Sequence, residues 1–321
     1  MERQLAIAPE KVRGFNYQPS YSSGAFEMWR DFRADVIWQE LRRGKELFPG
    51  INAVRLWLSS DAWTRSPEKF LAEFETALGF CRELGLKVIP CLFNRWHDPR
   101  VDYGGIYLEH FLPGVSGLNG GDTPPWKEYT EQLSAAFGKS PDILVWDLCN
   151  EPFAYAGKPP YLDQIRDAEV EWLRKISEVV HGNVEQPVGI STWSEVSDPL
   201  IADMVDLYLS HFYYIPQRMK LEDYRERVRR IAARQDKPTL TTETCWGSFD
   251  DAKRVEIIRD TLSTLNENRI GFLAHALWTS DTADLHGPED GRVMPHVGNL
   301  SFIRRDGSIR PGHEIFNRFC K

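Results

Sequence analysis

Ile143-Leu144-Val145-Trp146-Asp147-Leu148-Cys149 runs straight into Asn150-Glu151-Pro152. A short apolar run with β-branched members, closed by a proline, reads as a buried strand that stops where the glutamate begins. Pro238-Thr239-Leu240-Thr241-Thr242-Glu243 repeats the design: strand-like residues, then a glutamate. In a closed parallel barrel the carboxyl ends of all strands face one pocket, so acidic residues far apart in sequence meet there.

Working outward, further strand-like runs appear at Val12-Tyr17, Ala53-Leu58, Lys87-Phe93, Val188-Trp193, Leu207-Tyr213 and Phe272-Trp278. Amphipathic stretches separate most of them. In Pro67-Leu84, Phe70, Leu71, Phe74, Ala77, Leu78 and Cys81 fall on one helical stripe, and Leu162-Val180, Leu221-Arg234 and Asp251-Asn266 repeat the pattern. Gly85, Gly182 and Asn268 stand where helix stops are expected. Eight strand–helix rounds in 321 residues, about 40 per round, predict a single (β/α)8 TIM barrel over residues 1–321. No composition break divides it. Two long loops are expected at carboxyl ends of strands: Asn94-Trp126 after strand 3 and Thr279-Pro311, with a turn at Asp306-Gly307, after strand 8.

Composition narrows the partners. A hydrophobic share of 42% fits a large globular core, and a formal charge of -8 argues against nucleic acid or an anionic membrane surface. No apolar stretch has the length of a membrane span, and the amino terminus lacks the apolar core of a secretory signal, so a cytoplasmic location is expected. The 5 cysteines are dispersed, without the paired spacing of a zinc site or disulfide framework. With no H-E-x-x-H, phosphate-binding glycine loop or G-x-S-x-G elbow, neither metal nor cofactor is expected. The sequence carries no signal for oligomeric state.

Two facing carboxylates are the minimal equipment for cleaving a glycosidic bond, with one protonated as acid and one ionised. A gap of roughly 5–5.5 Å gives direct attack and retention; about 6.5–9.5 Å admits water and gives inversion. Strict alternation would put Asp147, Cys149 and Glu151 on one inward face, Thr239, Thr241, Glu243 and Cys245 on another, and Leu207, Leu209, His211 and Tyr213 on a third.

In order and spacing these motifs resemble clan A of the retaining glycoside hydrolases, most of all the cellulase-like family 5, from Gly14-Phe15-Asn16-Tyr17 to Trp278. The resemblance implies Glu151 as acid/base after Asn150, and Glu243 as nucleophile. It also matches Arg55 to a strand-2 arginine, His211-Phe212-Tyr213 to a strand-6 His-x-Tyr, and Trp278 to a strand-8 tryptophan. Arg55 is expected beside Glu243 or Asp147, Asn150 at a sugar hydroxyl, Tyr213 donating to Glu243, and His211 orienting the acid or binding substrate. Family 5 often has a histidine ending strand 3, where this chain reads Asn94-Arg95-Trp96-His97. Asn94 replaces it or His97 supplies it; Trp96 is a further wall candidate. The resulting expectation is a retaining β-glycosidase acting on a β-linked oligo- or polysaccharide. A transglycosylase with the same carboxylates, or a barrel that only binds carbohydrate, are the alternatives.

Overall fold

The computed structural model describes residues 3–95, 105–111, 125–153, 162–234, 236–282 and 297–320. Eight parallel strands pair in sequence order and close on themselves: β1 Arg13–Asn16, β2 Ala53–Trp57, β3 Lys87–Asn94, β4 Trp146–Asn150, β5 Val188–Thr192, β6 Tyr208–His211, β7 Thr239–Glu243 and β8 Gly271–Ala274. Described helices surround them: α1 Ala25–Arg30, α2 Ala34–Leu47, α3 Ser60–Arg65, α4 Pro67–Glu83, α5 Pro125–Phe137, α6 Leu162–Asn183, α7 Asp198–Ile201, α8 Leu221–Ala232 and α9 Asp251–Glu267. The chain folds as the (β/α)8 barrel expected.

Two apolar layers result from this arrangement. Inside the barrel, Val12, Ala53, Ile89, Leu144, Val145, Leu207, Leu209, Leu240 and Leu273 form one cluster, and Leu5 and Ile7 pack against it from the amino-terminal side. Between sheet and helices lies a larger cluster containing Phe15, Phe70, Phe74, Trp146, Leu148, Cys149, Trp172 and Phe272. Neighbouring strands fit closely: a Cβ on Gly14 would lie 2.0 Å from the Ala53 carbonyl oxygen, so no larger residue fits there.

Some boundaries differ from those the sequence suggests. Gly85 ends α4 in the left-handed region at φ 67°, as a stop should, and the turn at Asp306-Gly307 places Gly307 at φ 80°. Gly182, however, lies inside α6, which runs to Asn183. Asn183 donates to Val179 O and Ser134 Oγ, and Glu185 N donates to Gly138 O, so contacts beyond the glycine hold the helix together. Trp126 belongs to α5 rather than to the loop before it. The regular part of β8 ends at Ala274; beyond it Ala276 and Thr279 bond to Leu300 and Ile303, and Trp278 bridges to Ile303 instead of continuing the barrel.

Candidate active site

The described site begins with Arg55 on β2. Its guanidinium is fully buried and makes contacts across the barrel mouth. Nε donates to Asp147 Oδ2 at 2.8 Å, Nη1 to Glu243 Oε1 at 2.7 Å and to Asn16 Oδ1 at 2.9 Å, and Nη2 to Asn150 Oδ1 at 2.8 Å. Burial alone would favour the neutral form. The Cys91 sulfur, Asp147 and Glu243 around it more than offset this, raising its pKa above the ordinary arginine value. Arg55 is therefore a fixed cation with a fork of donors. Both partners weighed from the sequence, Glu243 and Asp147, are real.

Asp147 in turn accepts from Ser191 N and Oγ, at 3.1 and 2.5 Å, and Ser191 Oγ lies 2.8 Å from Thr242 Oγ1. Asn16 Nδ2 donates to the Thr242 carbonyl at 2.7 Å. Residues from β1, β2, β4, β5 and β7 are thus joined in one buried polar layer above the apolar interior. Asn94 joins it at the end of β3, where its Oδ1 accepts from Asn150 Nδ2 at 3.0 Å. Of the two strand-3 candidates, Asn94 takes this position; Trp96 and His97 lie outside the described residues.

The two glutamates reach the mouth by a device that simple alternation misses. Between β4 and β5, Asp147 pairs with Gly189 but Asn150 with Ser191: three steps against two. Between β6 and β7, Ser210 pairs with Thr241 but His211 with Glu243, two steps against one. Each glutamate strand therefore carries one extra residue, a β-bulge that re-aims the side chains beyond it. Below the bulge on β7, Leu240 packs in the barrel interior and Thr242 Oγ1 meets Ser191 there. The inward set is Leu240, Thr242 and Glu243, not Thr239, Thr241, Glu243 and Cys245. On β4, Cys149 packs in the outer layer, whereas Asp147 and Asn150 both bond Arg55. The β6 face needs no such correction: Leu207 and Leu209 point into the interior, and His211 and Tyr213 come next at the rim.

Backbone strain concentrates just past the bulges. Glu151 has φ 50°, Phe153 φ 65° and Cys245 φ 69°, all left-handed residues other than glycine. Such conformations cost of order 1–3 kcal/mol each and persist where surrounding contacts impose them. At Glu151 those contacts include its N–H bond to the Ser191 carbonyl at 2.8 Å and a 2.6 Å contact between Oε1 and His211 Nδ1.

His211 sits between the carboxylates. Its Nδ1 is 2.6 Å from Glu151 Oε1 and 3.5 Å from Glu243 Oε2. Tyr213 OH donates to Glu243 Oε2 at 2.9 Å. One atom each from Glu151, His211 and Glu243 lie within 4.8 Å of one another. That triangle has donor types a cation accepts, but both Glu243 oxygens already take hydrogen bonds, one from the Arg55 cation. Its charge is met by the protein.

Trp278 comes after β8 and is 6% exposed, its ring packed in the layer around the barrel. Asn16, Ser191 and Thr242 are site residues that the sequence alone did not single out. Asn16 stands inside a strand-like run, and a polar residue between Phe15 and Tyr17 was the available signal.

No protein-family model matches the chain. A stretch of 90 residues is 27% identical to the probable mannan endo-1,4-beta-mannosidase C of Aspergillus terreus, covering 26% of this chain and 20% of that protein. Among solved structures, the exo-beta-1,4-mannosidase Op5Man5 from Opitutaceae bacterium strain TAV5 superposes with a TM-score of 0.68 at 20% identity. That match covers 96% of this chain, which spans 59% of the longer protein. A variant of GH5_18 from Streptomyces cattleya in complex with Manβ1-4GlcNAc gives 0.72 at 16% identity, over 96% of this chain and 79% of its own. The endo-1,4-beta-D-mannanase from Thermotoga petrophila RKU-1 gives 0.63 at 16%, covering 97% and 99%. At these identities the likeness establishes a shared fold.

Proposed function

We propose that this barrel is a retaining β-glycoside hydrolase with Glu243 as nucleophile and Glu151 as acid/base. The observation that carries the reading is the approach of the two carboxylates, with oxygens within 4.8 Å. This suits the roughly 5–5.5 Å arrangement of direct attack better than the wider gap that admits water. The surroundings divide the labour. Arg55 and Tyr213 hold Glu243 in place through both of its oxygens, whereas Glu151 meets a histidine through Oε1.

In the first step a Glu243 oxygen attacks the anomeric carbon. The bond from that carbon to the bridging oxygen breaks, and Glu151 gives its proton to the departing oxygen. Glu151, now a carboxylate, takes a proton from water; the resulting hydroxide displaces Glu243 from the sugar, and both glutamates return to their starting states. Asn150, fixed by Arg55 and Asn94, offers its amide to a hydroxyl of the bound sugar. The names of the similar proteins put β-mannosides first among candidate substrates, ahead of β-glucosides.

The test is product release from β-linked disaccharides, β-mannans and aryl β-glycosides by wild type and Glu243→Ala, with the anomeric form of the first product followed by NMR. Cleavage with a β product, lost in the variant, is the expected result. A first-formed α product would overturn retention, and undiminished activity in Glu243→Ala would overturn the assignment of the pair. Sugar transfer to added alcohol in preference to water would identify a transglycosylase using the same residues.

A further inference from the structure

Beside the carboxylate pair, between β5 and β6, lies a cavity of about 150 Å³ lined by Trp193, His211, Tyr213, Ile215, Arg218 and Arg227, among others. Its charge is unusual for so acidic a chain. Arg227 is neutralised from behind: Nε reaches both Glu195 oxygens, at 3.1 and 2.9 Å, and Nη2 donates to Oε2 at 2.5 Å. Arg218 is exposed and makes no ion pair among the described residues. The lining residues include no carboxylate, and Arg218 is the lining cation without an ion pair among the described residues.

Two further groups give the cavity the character of a sugar subsite. Trp193 forms an aromatic wall, 5.6 Å from the Tyr213 ring, and is only partly buried. His211 is 1% exposed, and its Nε2 has no hydrogen-bond partner among the described residues. A buried ring nitrogen without a partner costs free energy that a hydroxyl brought against it would remove. An aromatic face, an unsatisfied buried nitrogen and a cation without an ion pair among the described residues are the parts needed to hold a sugar bearing a negative group.

Position indicates which sugar. Arg55, Asn94 and Asn150 come from β2, β3 and β4, whereas the cavity lies by β5 and β6, across the closed barrel from β1 and β2. On the glycosidase reading Asn150 meets the sugar being cleaved, which leaves the cavity on the other side for the unit beyond the scissile oxygen. We infer that Arg218 selects substrates whose leaving-group sugar carries an anion, a carboxylate or a phosphate ester, next to the cleaved bond. This inference rests on the glycosidase reading above. An arginine meets either group with paired N–H donors, and a charge-assisted hydrogen bond of this kind is worth about tenfold or more in selectivity.

The experiment takes the best neutral disaccharide from the panel and two analogues, with a uronic acid or a sugar 6-phosphate at the leaving-group position. It compares kcat/KM for wild type, Arg218→Met and Arg218→Lys. The expected result is a preference of about tenfold or more for at least one anionic analogue in wild type, abolished in Arg218→Met and partly kept in Arg218→Lys. The better analogue identifies the anion. No preference in wild type, or the same preference in Arg218→Met, overturns the subsite while leaving the glycosidase reading intact. If no disaccharide, β-mannan or aryl β-glycoside is cleaved, that reading is what fails. Calorimetric titration of the two anionic analogues then decides the subsite: weaker binding to Arg218→Met supports it, and equal or absent binding to wild type overturns it.

Discussion

At its amino-terminal end the barrel interior is filled by Val12, Ala53, Ile89, Leu144, Val145, Leu207, Leu209, Leu240 and Leu273. At its carboxyl end the same enclosed space holds Arg55, Asp147, Asn16, Asn150, Ser191 and Thr242, nearly all of them fully buried. The first set needs only volume and hydrophobicity, and tolerates modest exchange of one branched side chain for another. The second must satisfy every donor and acceptor at once, because a half-satisfied buried network is worse than an apolar core. One end stores stability, and the other spends some of it to hold two carboxylates near each other.

This contrast can be tested by separating activity from stability at each end. The largest expected effect is on activity. Glu243→Ala should lower kcat by about 10⁴- to 10⁶-fold, the scale for removal of a covalent nucleophile, with a much smaller change in the urea midpoint. A variant that lost stability but kept turnover would make Glu243 a purely structural partner of Arg55.

Arg55→Met should injure both properties. It leaves Asp147 and Glu243 buried without their cation, a loss of about 3–5 kcal/mol, and takes a donor from Glu243. Urea unfolding monitored alongside initial rates checks this. Arg55→Lys keeps the charge but not the fork that reaches Asn16, Asp147, Asn150 and Glu243, and should fall between. Unchanged stability in Arg55→Met would mean the mouth is not held by its charges.

Leu209→Ala probes the opposite end. The Leu209 side chain fills the space above Gly189, where an added Cβ would lie 2.6 Å from Leu209 Cγ. Truncation should cost about 2–5 kcal/mol in unfolding free energy, while kcat per folded molecule stays within a few-fold of wild type. A large drop in kcat without a drop in stability would show the two ends to be coupled.

The same division governs how far the sequence revealed these ends. The apolar end and the strand order were legible because hydrophobic runs and their spacing report burial directly. The glutamates were legible because each stands at the end of such a run. The faces of β4 and β7 were not, since a β-bulge adds one residue and no composition signal marks it. Asn16 and Ser191 stayed hidden for a related reason: a single polar residue in a strand acquires meaning only from the groups that close over it across the barrel. Gly182 misled because a glycine signals a helix stop only when later residues do not hold the helix together.

The smallest effect concerns the wall outside the mouth, where Arg254 donates to the carbonyls of Leu300, Ser301 and His275 and contacts His313 Nε2 at 3.2 Å. Burial, and then the neighbouring Arg254 cation, push the His313 pKa down to about 3. The unfolded chain, with an ordinary histidine near 6.5, therefore binds the proton first. The contribution of neutral His313 to stability is complete above about pH 6.5 and is lost progressively as pH falls from there towards 3. Between pH 7 and pH 5 the loss should approach about 2 kcal/mol, and His313→Gln should flatten that part of the profile. Urea midpoints at the two pH values decide it. If the acid sensitivity survives in His313→Gln, it belongs to other groups, and the buried charges of the mouth become the next place to look.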